Sequence, residues 1–262
     1  MPNLKSEGKC LYCEKIFSKI AINRHLQKHL LEKVNQNKPG KSFLLKVDTN
    51  PRWGSNHYFL SLWVDGEAIM EDIDDFLRSI WLECCGHMSS FTSVKNNRGA
   101  RGMWDIFEIQ DLLTNGKIKK YEKLMEEANG EIPMSRKIKM VLTKDLKIEY
   151  VYDFGSSTSL QLTVLNEFPV KADKKIVLLS RNDPPEIWCE ICKKEPATVL
   201  CSVCMDQEEN AFCKKCAKQH VKTCSDFADY AAMPIVNSPR VGVCSYEGGT
   251  IDKQRDGVFV KR

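Results

Sequence analysis

Along HYFLSLWVDG (57–66), large apolar side chains alternate with smaller or polar ones, and an Asp-Gly pair follows. That period of two, rich in aromatic and branched residues, predicts a strand entering a hairpin or loop. Directly downstream the period changes. In EDIDDFLRSIWLECC, Ile73, Phe76, Leu77, Ile80, Trp81 and Cys84 recur at spacings of three and four, predicting an amphipathic helix with an acidic first turn. SSFTSV reads as a further strand and NGKIKKYEKLMEEANG as a short polar helix closed by Asn-Gly. LKIEYVYDFG, STSLQLTVLNEF and KKIVLLS read as three late strands. Mostly antiparallel strands with few helices give an α+β class, a sheet with helices packed on one face.

Two punctuated stretches bound this region. The polar NQNKPG (35–40) reads as a linker, and the proline-marked RNDPPE (Arg181–Glu186) as a second boundary. The expected units are 1–40, 42–182 and 183–262, an α+β domain flanked by two small zinc-binding modules. The opening MPNLKSEGKC has no apolar core of a signal peptide, and no run of eighteen apolar residues occurs, so no membrane segment is expected and the expected location is cytoplasmic. In that compartment thiols stay reduced, and paired cysteines are read as metal ligands before disulfides.

The first unit carries Cys10-x-x-Cys13, eleven intervening residues, then His25-x-x-x-His29, the ligand order of a zinc finger with two cysteines and two histidines. Phe17 and Ile22 stand where such a finger keeps its two core residues. The spacer is one residue shorter than the usual twelve, which shifts the helix register without changing the ligand set. By that register Ser18, Ala21 and Arg24 are the base-reading positions, and only Arg24 is a strong base reader.

The stretch from Trp188 to Cys224 holds seven of the chain's twelve cysteines. Its ligands run C-x-x-C, eight residues, C-x-x-C, eight residues, C-x-x-C, three residues, His, three residues, Cys. Each close pair supplies half of a tetrahedral site, so four half-sites make two closed sites with no open position for a substrate. Interleaved wiring puts Cys189, Cys192, Cys213 and Cys216 on one zinc and Cys201, Cys204, His220 and Cys224 on another; sequential pairing is the rival. An iron–sulfur cluster would also use this many thiolates, but the histidine and paired knuckles favour zinc. Three structural zinc ions are therefore expected. Of the other cysteines, Cys84 and Cys85 are assigned to the helix, one facing the core, and Cys244 to a free thiol in the tail.

Charge then separates the candidate partners. The formal net charge is +4, yet residues 1–41 alone carry nine Lys/Arg against three Glu. Between Glu186 and Cys224 six Lys balance six Asp/Glu, and seven thiolates on two Zn²⁺ would leave that module mildly acidic. Phosphate contact is thus expected only at the finger, through Lys15, Lys19, Arg24 and Lys28, with affinity falling as salt rises. The acidic module favours a protein partner.

Two resemblances follow from these residues. The order of the C-terminal ligands resembles the B-box and, less closely, the MYND finger, which implies an interleaved cross-brace and protein contact. Tyr150, Tyr152, Asp153, Phe154 and Gly155 in YVYDFGSSTSLQLTVLNEF resemble the signature of the plasmid pRiA4b ORF-three-like family, the passenger proteins of an insertion element. Ser156, Thr158 and Leu160 replace that signature's Asp, Trp and His, so no functional residue is carried over. HYFLSLWVDG with its helix, and MPIVNSPRVGVCSYEGG in the tail, resemble a bacterial branch with a C-terminal cysteine-rich module, with 97–139 as an insertion. The resemblance implies an α+β domain of prokaryotic origin and no established reaction. His57, His87, Glu149 and Asp153 are the available acid–base groups, but nothing in the sequence ties them into a constellation. Asp153 reads as a turn residue, with Gly155 supplying the unusual backbone angles, and NSPRVG as a segment that docks onto the fold.

Overall fold

The computed structural model describes residues 6–49, 57–93, 114–118, 130–204 and 209–260. The chain opens with an antiparallel hairpin, β1 (Glu7–Lys9) and β2 (Ile16–Ser18), followed by helix α1 (Ala21–Lys33). Then come β3 (Pro39–Thr49), β4 (Phe59–Asp65), helix α2 (Met70–Leu77), β5 (Ser89–Ser93), a single turn α3 (Ile138–Val141), β6 (Lys147–Tyr152), β7 (Thr158–Val170) and β8 (Ile176–Arg181). Strands β3 to β8 form one six-stranded sheet in the order β5-β6-β7-β3-β4-β8, and every pairing in it is antiparallel. The α+β class expected from the sequence is the class observed.

Both faces of this sheet are covered. Phe43, Leu45 and Val47 of β3 and Leu60, Leu62 and Val64 of β4 point to the side where Met70, Ile73 and Leu77 of α2 pack. Leu44, Phe59 and Trp63 point to the other, against Ile22, Leu26 and Leu30 of α1. The finger's helix is therefore the second cover of the sheet. Because both faces are dry, all seven residues of β4 are buried, which is why its sequence is so apolar. NQNKPG is a tight turn whose last two residues begin β3; Asn37 donates to the Lys171 carbonyl and the Asp173 carboxylate.

The helix of EDIDDFLRSIWLECC starts with the Asp72 carboxylate accepting the Ile69 N–H at 2.9 Å, a cap on an otherwise unpaired donor. After Leu77 it widens into a π-helical turn, Arg78–Leu82, that buries Ile80, Trp81 and Leu82. Glu83 is already extended. Cys84 and Cys85 consequently lie beyond the helix, not in it as expected. The expected polar helix at 115–130 falls mostly outside the described residues, as does most of 97–139.

The C-terminal part folds around a small sheet of β9 (Val199–Cys201), β10 (Ala211–Phe212) and β11 (Ala232–Pro234), in the order β10-β9-β11, with helix α4 (Lys214–His220) beside it. From Ile235 the chain returns to the large sheet. Asn237 exchanges hydrogen bonds with Asn182, Ser238 Oγ donates to the Trp81 carbonyl at 2.7 Å, and Thr250 N–H donates to the Ser79 carbonyl. A Cβ at Gly249 would sit 2.5 Å from the Ile80 carbonyl oxygen, so only glycine permits this approach. The boundary at RNDPPE marks a change of composition while the two parts share one packed interface.

Candidate metal centres

Four sets of Cys and His side chains converge so that their ligand atoms all lie within 4.8 Å of one another. Zinc bond lengths of about 2.3 Å to sulfur and about 2.0 Å to nitrogen put tetrahedral ligands about 3.3–3.8 Å apart. The separations observed fall around that value.

In the finger, Cys10 and Cys13 sit on the turn of the β1–β2 hairpin and His25 and His29 on one stripe of α1, as a spacing of four requires. Cys13 Sγ and His29 Nε2 each lie 3.1 Å from His25 Nε2. The Cys10 carbonyl accepts the Glu14 N–H at 2.8 Å, and Glu14 adopts φ 62, a left-handed turn that folds the two thiols together. Phe17 stacks on His25 with ring centroids 4.1 Å apart. Burial, with His29, Lys15 and Lys28 adding to it, lowers the pKa of His25 and favours the neutral imidazole that a metal needs. Ile22, Leu26 and Leu30 are fully buried and share one apolar cluster with Cys10, Cys13 and Phe17 on one side and Leu44, Phe59 and Trp63 on the other, so the finger's interior is continuous with the sheet's.

The C-terminal sets are Cys189, Cys192, Cys213, Cys216 and Cys201, Cys204, His220, Cys224. Of the two wirings open from the sequence, the interleaved one is the one assembled. Cys192 and Cys213 Sγ are 4.0 Å apart, Cys201 and Cys224 Sγ 3.9 Å, and Cys204 Sγ is 3.7 Å from His220 Nε2. The Cys189–Cys192 knuckle repeats the finger's: Lys193 N–H donates to the Cys189 carbonyl at 2.8 Å, with Lys193 at φ 51. Backbone N–H groups of Lys194 and Glu195 pull the Cys192 thiol down to about 7, toward the thiolate that binds metal. Cys213 instead stands at the N-cap position of α4 and Cys216 lies within the helix. Phe212 stacks on His220 at 4.3 Å, and Phe227 packs edge-on against both rings. Beyond the ligands the core has few large apolar side chains, chiefly Phe212, Phe227, Leu200 and Ile235.

The fourth set is Cys84, Cys85, His87 and Cys244, so Cys244 is not the isolated tail thiol expected but lies against Cys85 and His87. The legible signal was the C-C-x-H run just past the helix; its partner 157 residues away could not be matched by spacing.

The expected nucleic-acid contacts divide. Lys15, Arg24 and Lys28 are exposed, as are Ser18 and Ala21. Lys19 is not available: its ammonium pairs with the Asp48 carboxylate at 2.9 Å with the side chain largely covered, and burial lowers its pKa more than Asp48 raises it. Of the acid–base candidates, only His87 and Asp153 approach, at 3.5 Å, and Asp153 also pairs with Arg240. His57 Nε2 lies 3.1 Å from the Asp183 carbonyl oxygen. Asp153 is a turn residue as expected, accepting the Gly155 and Ser156 N–H groups, but the left-handed residue is Asp153 itself (φ 64) and not Gly155.

No family model matches the chain. No curated protein matches it either. Among solved structures, the crystal structure of a protein of unknown function from Methanosarcina mazei Go1 aligns with 14% identity and a TM-score of 0.35, covering 53% of this chain and 67% of that one. No helix among the described residues is long and apolar enough to cross a membrane.

Proposed function

We propose that the chain is a non-enzymatic zinc-binding interaction protein, with zinc at the finger and at both interleaved C-terminal sets. The observation that carries this reading is that each set supplies four protein donors around one point, leaving no position for substrate or catalytic water. Mixed thiolate and imidazole donors suit zinc. A structural ion there exists to hold a surface.

That surface is apolar at the knuckles. Ile191, between Cys189 and Cys192, and Val203, between Cys201 and Cys204, are 47% and 48% exposed, and Tyr230 is 65% exposed. A balanced local charge with exposed apolar tips favours a protein partner over nucleic acid. The B-box-like ligand order supports the same partner class. The resemblance of Tyr150–Gly155 to the plasmid pRiA4b ORF-three-like proteins supports a prokaryotic, mobile-element setting.

Affinity capture from the native host, with and without nuclease, tests the partner class. Capture that survives nuclease and disappears in Ile191→Asp/Val203→Asp/Tyr230→Ser, with zinc content unchanged, is the expected result. The second reading, nucleic-acid binding through the finger, is favoured by the exposure of Ser18, Ala21, Arg24, Lys15 and Lys28. Duplex binding at physiological salt that is abolished by reversing Lys15, Arg24 and Lys28 would put that reading first.

A further inference from the structure

Past the π-helical turn the chain presents Cys84, Cys85 and His87 in four residues, and the returning tail brings Cys244 to meet them. Cys85 Sγ lies 3.6 Å from Cys84 Sγ, 3.5 Å from Cys244 Sγ and 3.0 Å from His87 Nε2, and His87 Nε2 lies 3.2 Å from Cys244 Sγ. These separations match those inside the three sets above, which run from 3.1 to 4.0 Å.

The backbone is bent to achieve this. Gly86 takes φ 76 between Cys85 and His87, a reversal a side chain would oppose, and its N–H is held by the Glu83 carboxylate. Cys244 and Ser245 take φ 51 and 53, two successive left-handed residues that are not glycine. Such strain persists where surroundings impose it and concentrates at binding sites. The same left-handed turn, at Glu14 and Lys193, follows the second cysteine of two knuckles above.

The environment also fits an ion. Three thiolates with Zn²⁺ leave one net negative charge, and the buried Arg240 guanidinium donates to Cys84 Sγ at 3.4 Å while pairing with Asp153 at 2.7 Å. A supporting shell of this kind orients and neutralises metal ligands. A disulfide between any two of these cysteines would use two donors and leave the third thiol and the imidazole pointing at nothing. Three thiols and one imidazole around one point make a closed structural zinc set.

We propose that Cys84, Cys85, His87 and Cys244 form a fourth zinc site, which fastens the tail to the end of the α2 segment. The test compares the zinc content of the full chain, purified under reducing conditions, with that of the Cys85→Ser/Cys244→Ser variant by native mass spectrometry. The expected result is one zinc fewer in the variant. Because the readout is a difference, a wrong assignment at another set changes the total and leaves the difference intact. Should the variant fail to fold, alkylation of the unmodified chain decides. Cys85 and Cys244 are exposed by area, so zinc-loaded protein should protect both from iodoacetamide and limited chelation should release them together. Equal zinc contents, alkylation of both at the rate of free surface thiols, or a Cys85–Cys244 disulfide in the native chain would overturn the site.

Discussion

Arg181 and Arg240 have no exposed side-chain surface, and each joins the returning tail to the rest of the fold, Arg181 from the sheet and Arg240 from the tail. Arg181, at the end of β8, donates to the Asn237 carbonyl and to the Asp256 carboxylate, with Asp252 at 3.3 Å. Removing the cation leaves buried acceptors facing one another, so Arg181→Met should cost about 3–5 kcal/mol of unfolding free energy in denaturant titration. A cost under about 1 kcal/mol would mean that the tail docks without help from the Arg181 cation. Asp153 separates two causes of acid sensitivity. The Arg240 hydrogen bond, opposed by burial and helped by two backbone N–H groups, lowers its carboxyl to about 2. A carboxyl depressed in the folded state contributes its full stability above the unfolded value near 4, lost as pH falls through about 2. Acidification from pH 7 to about 4.5 should therefore leave the Asp153–Arg240 pair intact while protons displace metal from thiolates and imidazoles. Zinc release, followed with a chromophoric chelator, should precede tail release, read as Trp81 fluorescence. At this scale the sequence was legible where chemistry is local. C-x-x-C and H-x-x-x-H announce themselves by spacing, but Cys85 and Cys244 are joined only by the fold, and Lys19 lost its phosphate role to an Asp48 on a distant strand.

Among the elements, β4, β5, β6, β7 and β8 were readable from period-two patterning and turn residues. β3 was not, although it lies inside the sheet between β7 and β4. Its Phe43-Leu44-Leu45 run serves both covered faces, so its apolar residues do not alternate, and the linker-like NQNKPG hid its start. The same two-sided burial made the finger look separable when α1 is a cover for Leu44, Phe59 and Trp63. Leu26→Ala or Leu30→Ala should cost about 2–5 kcal/mol, since each side chain is fully buried against the sheet. Trp63 emission should shift to the red while finger zinc is retained. Loss of the zinc with unchanged emission would mean that the helix is held by its metal alone.

For the molecule as a whole, the two ways of making a core predict a two-step response to metal removal. The α2 side of the sheet is packed from aliphatic and aromatic side chains, whereas the C-terminal module relies on its ligands for most of its interior. Chelation should melt the finger and the module first, leaving β-sheet circular dichroism that unfolds only at higher temperature. A single cooperative loss of all signal on chelation would show that the sheet cannot stand without its covers. The α+β class was legible because it follows from summed patterning. That NSPRVG docks onto the fold was legible from its turn chemistry, but its place against the π-helical turn was not, because it depends on hydrogen bonds between residues such as Asn182 and Asn237 that carry no periodic signal.

The meeting at Asn182 also sets an order of events during synthesis. Gly8 bridges Asn182 and the Asn237 side chain bonds its carbonyl, so the residues at the end of β8 are fully held only when segments made first and nearly last meet there. Until residue 237 has left the ribosome, a nascent chain carries the Arg181 cation and the Ser79 and Trp81 carbonyls without their partners in the tail, and incompletely packed chains are prone to associate. Slow translation of the stretch between β8 and Asn237 would lengthen that exposure, and crowding on one message would turn it into co-aggregation.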